Sequence, residues 1–298
     1  MMQRLESTHP VLGPWSLPTS KLFWEGFAPS ALVTQNASDD IHAVFLCDSD
    51  WQRVDAVVTQ VGGSARVVVT GPGDLEAATA QVLRFLSIDI DGTEWPEVGR
   101  RDPVVADAQR RLPGFRPCGF YSPYEAAAWA VLSQRVQMRQ AIAMKTRLMQ
   151  QLGDNGAFPA PAVLHDAALE LPGRKAEYLH AVAAAALDGL LTGEHLRSLT
   201  PEEALRQVHA IKGIGPFSAE LVVLRGANFA DVLPQNEPRL AAEVVRLYGA
   251  ERPLDEIAEA WRPFRSWASV HLRALAPQTS NPRQPLPVAG RPPRSIPS

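Results

Sequence analysis

A chain of 298 residues with 46% apolar content can bury the core of one large or two ordinary domains, and its net charge of −3 gives no bulk basic character, so any nucleic-acid binding must come from a local basic face. Cys47 and Cys118, the only cysteines, lie far apart and form no C-x-x-C, which excludes a thiolate zinc site, a four-cysteine iron–sulfur cluster and a disulfide framework and fits a reducing cytoplasm. No apolar run approaches ~20 residues and the opening MMQRLESTHP lacks an apolar signal segment, so neither a membrane span nor a signal peptide is expected.

In chain order, HAVFLCDSDWQRVDAVVTQVGGSARVVVTG carries short β-branched runs at Val57-Val58 and Val67 to Val69, broken by Gly62-Gly63 and Gly71-Pro72-Gly73, which predicts strands joined by tight turns. GDLEAATAQVLRFLSI follows with Asp74 as a cap and apolar Leu75, Ala78, Val82 and Phe85, an amphipathic helix to lie on that sheet. Residues 1–102 therefore read as an α+β domain with a small antiparallel sheet. From residue 103 to 277 alanine and leucine take over and every segment is expected to be helical. SPYEAAAWAVLSQRVQMRQAIAMKTRLMQQLG, opened by Ser122-Pro123 and closed by Gly153, predicts a long helix or a helix pair. RKAEYLHAVAAAALDG, TPEEALRQVHAI, GPFSAELVVLRG, EPRLAAEVVRLYG and PLDEIAEAWRPFRSWASVHLRALA predict further helices. Residues 278–298, with three arginines, no acid and many prolines, read as a disordered basic tail.

In IKGIGPFSAELVVLRG, the Gly213-Ile214-Gly215 turn between two helices would expose backbone N–H groups at a helix start where no Cβ blocks approach, a geometry that holds phosphate. Two such glycines also serve as a plain tight turn. KGIGPFSAELVVLRG resembles the helix-hairpin-helix motif of the DNA glycosylase superfamily through Gly213, Gly215, Ala219 and Leu224-Arg225-Gly226. SPYEAAAWAVLSQRVQ, GRKAEYLHAVAAAALDG, AEAWRPFRSWASVHLRALA and the upstream WEGFAPSA resemble the 3-methyladenine DNA glycosylase II branch, in the same order, from about residue 10 to 276.

The resemblance implies an α+β N-terminal domain followed by an all-α helix-hairpin-helix glycosylase core. It implies double-stranded DNA with a damaged base as partner, reached through Gln134, Arg135, Lys212, Gly213, Ile214, Gly215, Phe217 and Ser218. No cofactor is implied beyond a monovalent cation, sodium or potassium, on the backbone carbonyls of His209, Ile211 and Ile214. A monomer in the cytoplasm, associated with the nucleoid, is expected.

The family's catalytic aspartate, in a P-x-x-D pattern after the hairpin, corresponds here to Glu237 of Pro234-Gln235-Asn236-Glu237. Base excision passes through an oxocarbenium-like sugar, which a nearby carboxylate stabilises while it orients a water. Glutamate brings the same charge on a longer arm; the alternative is that Glu237 only complements the helix dipole before Pro238. Bifunctional relatives that also cut the backbone carry a lysine nucleophile where this chain has Phe217, so a monofunctional hydrolase of alkylated bases is expected. The base pocket would use Phe27, Phe217, Leu221 and Arg273. Of these, Leu221 and Arg273, together with Pro238, stand where characterised relatives have aromatic residues. Glutamate for aspartate and the reduced aromatics leave a catalytically silent or weak lesion binder as the competing expectation. The histidines form no H-E-x-x-H spacing and read as surface or packing residues, and Trp261 and Trp267 as core.

Overall fold

The computed structural model describes residues 2–26, 39–250 and 252–276. Phe27 and the tail at 278–298 lie outside the described residues.

Strands β1 (Gln3–Pro10), β2 (Ile41–Leu46), β3 (Arg53–Val61) and β4 (Ser64–Gly71) form an antiparallel sheet in the order β1-β4-β3-β2. The β3–β4 hairpin pairs Val61 with Ser64 across Gly62-Gly63, and Gly62 takes the left-handed φ of 57° that a two-residue hairpin turn needs at its first position. Alternation puts Val54, Ala56 and Val58 of β3 and Ala65, Val67 and Val69 of β4 on one buried face. Against that face lie α1 (Leu17–Glu25) and α2 (Leu75–Phe85), the latter capped by Asp74, whose Oδ1 accepts from the amides of Glu76 and Ala77.

Among the described residues twelve helices follow: α3 (Trp95–Arg101), α4 (Pro103–Arg111), α5 (Pro123–Ser133), α6 (Met138–Leu152), α7 (Pro161–Asp166), α8 (Lys175–Leu187), α9 (Gly193–Arg197), α10 (Pro201–His209), α11 (Pro216–Leu221), α12 (Pro238–Tyr248), α13 (Leu254–Ala258) and α14 (Arg265–Leu275). The stretch expected as a long helix or a helix pair is a pair, α5 and α6, broken at Gln134–Gln137 with Arg135 in the left-handed region at φ 53°. Helix α5 is apolar on every side, as a helix at the centre of a bundle must be, and it packs against α8 and the hairpin helices. Helix α11 runs on as a π-helical turn over Val222–Gly226, and Gly226 lets it close on α5, since a Cβ there would come within 2.8 Å of the Pro123 Cα. Trp261 and Trp267 are core residues but do not share one helix: a turn with a cis Arg262-Pro263 bond separates Trp261 from α14.

One hydrophobic core draws on residues from both sides of residue 102. Trp95 and Val98 of α3 pack with Val105 and Ala108 of α4 and with Leu240, Val244, Trp261 and Trp267 from the C-terminal helices, apart from the core that α5, α8, α10 and α11 share. Asp102 sits at that junction: it caps α4 through the amides of Val104 and Val105 and accepts from Trp261 Nε1 and Tyr248 OH, each at 2.8 Å. Sheet domain and helices are stapled by buried polar groups. The Arg116 guanidinium, fully enclosed, donates to carbonyls of Leu12, Pro14, Ser87 and Ile90, and Asn228 Nδ2 donates to the Arg84 and Phe85 carbonyls. The helical lobes are thereby held fixed on the sheet domain.

Candidate active site

The hairpin begins where α10 ends. Thr200 and Glu203 cap the start of α10 reciprocally, and its last turn leads into Ile211, whose carbonyl accepts from the Ile214 amide at 3.0 Å. Ile211 and Ile214 are buried, anchoring the loop from below, while His209 and Lys212 point outward. Gly213 has φ 92°, and a Cβ there would overlap the Tyr178 ring of α8. Tyr178 in turn lies under the Arg174 guanidinium, 5.1 Å from ring centroid to charge.

Gly215 is different: its φ is −88° and a Cβ would meet nothing within 4 Å. It is the cap residue of α11, Pro216 has no N–H, and the Ala219 amide returns to the Gly215 carbonyl at 2.9 Å. The amides of Phe217 and Ser218 are thus the first-turn donors that the helix itself cannot satisfy, beside an open glycine. Phe217 is 46% exposed on this edge, so it is not core, whereas Ser218 is buried.

Gln134 and Lys212 are placed otherwise than DNA contact alone would place them. Gln134 Nε2 donates to the Gly213 carbonyl at 2.7 Å, tying the end of α5 to the hairpin. Lys212 Nζ pairs with Glu177 at 2.5 Å, and Arg174 and Lys212 together hold the Glu177 carboxyl down to about 2. Lys175, absent from the sequence-based set, donates to the Val131 and Gln134 carbonyls at 2.7 and 2.8 Å and closes the C-terminus of α5. Arg135 stays exposed at the tip between α5 and α6.

Glu237 is the cap residue of α12, and its Oε1 accepts from the Arg239 amide at 3.0 Å. Its Oε2 pairs with Arg273 Nε of α14 at 2.8 Å. Two of the departures from the family pattern, glutamate for aspartate and arginine for an aromatic residue, are therefore in contact with each other. Leu221 is half-buried on α11 and Pro238 is exposed.

The loop before Glu237 is held at both ends. At its start, the Ser266 amide donates to the Ala230 carbonyl at 2.9 Å, and Ser266 Oγ accepts from the Val232 amide and donates to the Val232 carbonyl at 2.9 and 2.8 Å. Arg265 meanwhile grips Asp231. At its end stands Glu220 of α11, buried, whose carboxylate accepts from the Gln235 amide at 2.9 Å, the Asn236 amide at 2.9 Å and Asn236 Nδ2 at 2.7 Å. Glu220 couples the hairpin helix directly to the residues before Glu237. Its signal in the sequence was an acid inside the apolar run SAELVVL, since a charge on a buried face must have partners.

A small antiparallel sheet joined to helical lobes, with an open glycine hairpin and a carboxylate at the start of the next helix, defines a helix-hairpin-helix DNA glycosylase. The chain is 26% identical over 284 residues to DNA-3-methyladenine glycosylase 2 of Escherichia coli, covering 87% of this chain and 94% of that protein. It is 26% identical over 212 residues to the DNA-3-methyladenine glycosylase of Bacillus subtilis, covering 65% and 69%. The solved 3-methyladenine DNA-glycosylase from Archaeoglobus fulgidus superposes with a TM-score of 0.69 at 21% identity, over 91% of this chain and 96% of that one, and shares the fold. No family model matches. The chain is thus similar over most of its length to 3-methyladenine DNA glycosylases and shares the fold of the Archaeoglobus enzyme.

Proposed function

We propose that this protein is a monofunctional glycosylase of DNA base-excision repair that hydrolyses the N-glycosidic bond of alkylated bases in duplex DNA. The observation that carries this reading is the placement of Glu237: a carboxylate at the start of α12, on a loop that Glu220 ties to the hairpin helix. The Phe217 and Ser218 amides beside open Gly215 receive a DNA phosphate, which sets the register of the strand. Arg135, on its exposed left-handed turn, fills the gap left by the extruded base. Glu237 then stabilises positive charge developing at C1′ and orients the attacking water, an aimed charge of the kind worth about 10²- to 10³-fold in rate.

Phe217 stands where a bifunctional enzyme needs an amine, and Lys212 is engaged with Glu177, so no side chain at the hairpin supplies a Schiff base. The backbone carbonyls of His209, Ile211 and Ile214 would hold a sodium or potassium ion that neutralises the bound phosphate. The protein acts as a monomer on chromosomal DNA in the cytoplasm; no helix among the described residues is long and apolar enough to cross a membrane. Incubation with duplex DNA carrying alkylated bases tests the reading: free base should be released and abasic sites should accumulate, with strands cut only on later treatment with alkali. Intact bases after many hours, or strands cut by the protein itself, would contradict it.

A further inference from the structure

Glu237 and Arg273 place a negative and a positive group side by side, Oε2 to Nε at 2.8 Å, with side chains 22% and 28% exposed and thus open to a ligand. Beyond this pair the Arg273 guanidinium has no partner among the described residues, so its outer nitrogens remain available as donors.

The charge a glycosidic bond develops as it breaks depends on the base. From a neutral base the electron pair of the C1′–N bond leaves on the base: the sugar turns positive and the base turns negative. Water then forms the new bond to C1′, and the proton it loses neutralises the departed base through solvent. From an N3- or N7-alkylated purine cation the positive charge only migrates from base to sugar, and the base leaves neutral. Glu237 serves the sugar in both cases. Arg273 does opposite things: it stabilises the anion that a neutral base becomes and repels a base that arrives positively charged. Pro238, next to Glu237 in the chain, and Leu221 of α11 offer no aromatic face to a cation, and Phe217 is the one large aromatic side chain that stands exposed among the described residues.

We propose, resting on the glycosylase reading above, that Arg273 is a specificity-determining residue that directs the site to alkylated bases carrying no charge, such as etheno adducts and O-alkylated pyrimidines, and away from alkylpurine cations. The test uses the full chain under single-turnover conditions on two duplexes of the same sequence, one with 1,N6-ethenoadenine and one with 7-methylguanine. The wild type is expected to release ethenoadenine faster. Arg273→Gln should slow that release by about 10²-fold, as when one aimed charge is removed, while 7-methylguanine release holds or rises. Arg273→Lys, which keeps the charge, should keep the wild-type order; a merely structural role would not predict that rescue. If Arg273→Gln releases both bases in the wild-type ratio, the inference falls and the glycosylase reading stands. If the wild type is inert and Arg273→Gln gains 7-methylguanine release, Arg273 is a plug on Glu237 and the preference for neutral bases is wrong. If neither protein releases either base, both readings fail.

Discussion

Glu220→Gln isolates the clamp that fixes the loop before Glu237. In the native site Oε1 accepts from the Gln235 amide and Asn236 Nδ2, and Oε2 from the Asn236 amide. The substituted side chain keeps the shape but holds one acceptor, so its NH₂ group must face an N–H donor. A hydrogen bond to a charged group is worth about 1.5 to 3 kcal/mol, and the others weaken with the loss of charge. Gln235 and Asn236 are exposed, so water recovers part of this and a net loss of about 1 to 2 kcal/mol is expected. For a chain of this size that lowers Tm by roughly 2 to 8 °C. The larger effect falls on rate, because a loop displaced by about 1 Å costs on the order of 10²-fold when it carries the reacting group. Single-turnover excision, paired with fluorescence anisotropy on the same duplex, should show a rate lower by about 10- to 100-fold with affinity unchanged, since the Phe217 and Ser218 amides proposed to hold the phosphate are untouched. A lowered Tm with an unchanged excision rate would refute the reasoning and leave Glu220 as a stabilising residue only.

The two hairpin glycines should separate cleanly: Gly213→Ala meets both a φ of 92° and the Tyr178 ring and should cost about 2 to 4 kcal/mol in urea unfolding. Gly215→Asp meets open space and should leave stability within about 0.5 kcal/mol while weakening duplex binding at low salt. His271, enclosed between Trp95 and Phe115 with its Nδ1 on the Trp267 carbonyl, has its pKa pushed down to about 4 by burial. A depressed folded-state pKa means stability that is complete above about 6.5 and is lost as pH falls toward 4. His271→Phe should therefore remove about 2 kcal/mol of the stability difference between pH 7 and pH 5, read as the change in urea unfolding relative to wild type.

Strong local signals were legible in the sequence. The β-branched runs of β3 and β4, the Asp74 cap and the glycine hairpin each carry their own physical cause, and the structure has all of them. Strand β1 escaped because it lies on the sheet edge with most of its residues exposed, so QRLESTHP shows almost no apolar alternation. Helix α3 escaped because it is short and gives only Trp95 and Val98 to a core completed more than a hundred residues later. At the site, Glu237 and Arg273 were each named through the resemblance, but their pairing was not, and Glu220 was not named at all. Glu220 lies 17 residues before it and Arg273 36 after it, and no periodicity connects them. The hydrogen bond from Gln134 Nε2 to the Gly213 carbonyl was not legible either, because it depends on how the end of α5 meets the hairpin.

The central claim is that Glu237 is the working carboxylate, and its most direct test is single-turnover base release by Glu237→Gln beside wild type on a duplex with one alkylated base. The isosteric amide removes the charge and keeps the shape, so affinity for the duplex should be unchanged while release slows by at least about 10²-fold. Equal rates for the two proteins would make Glu237 a helix-end residue and contradict the mechanism.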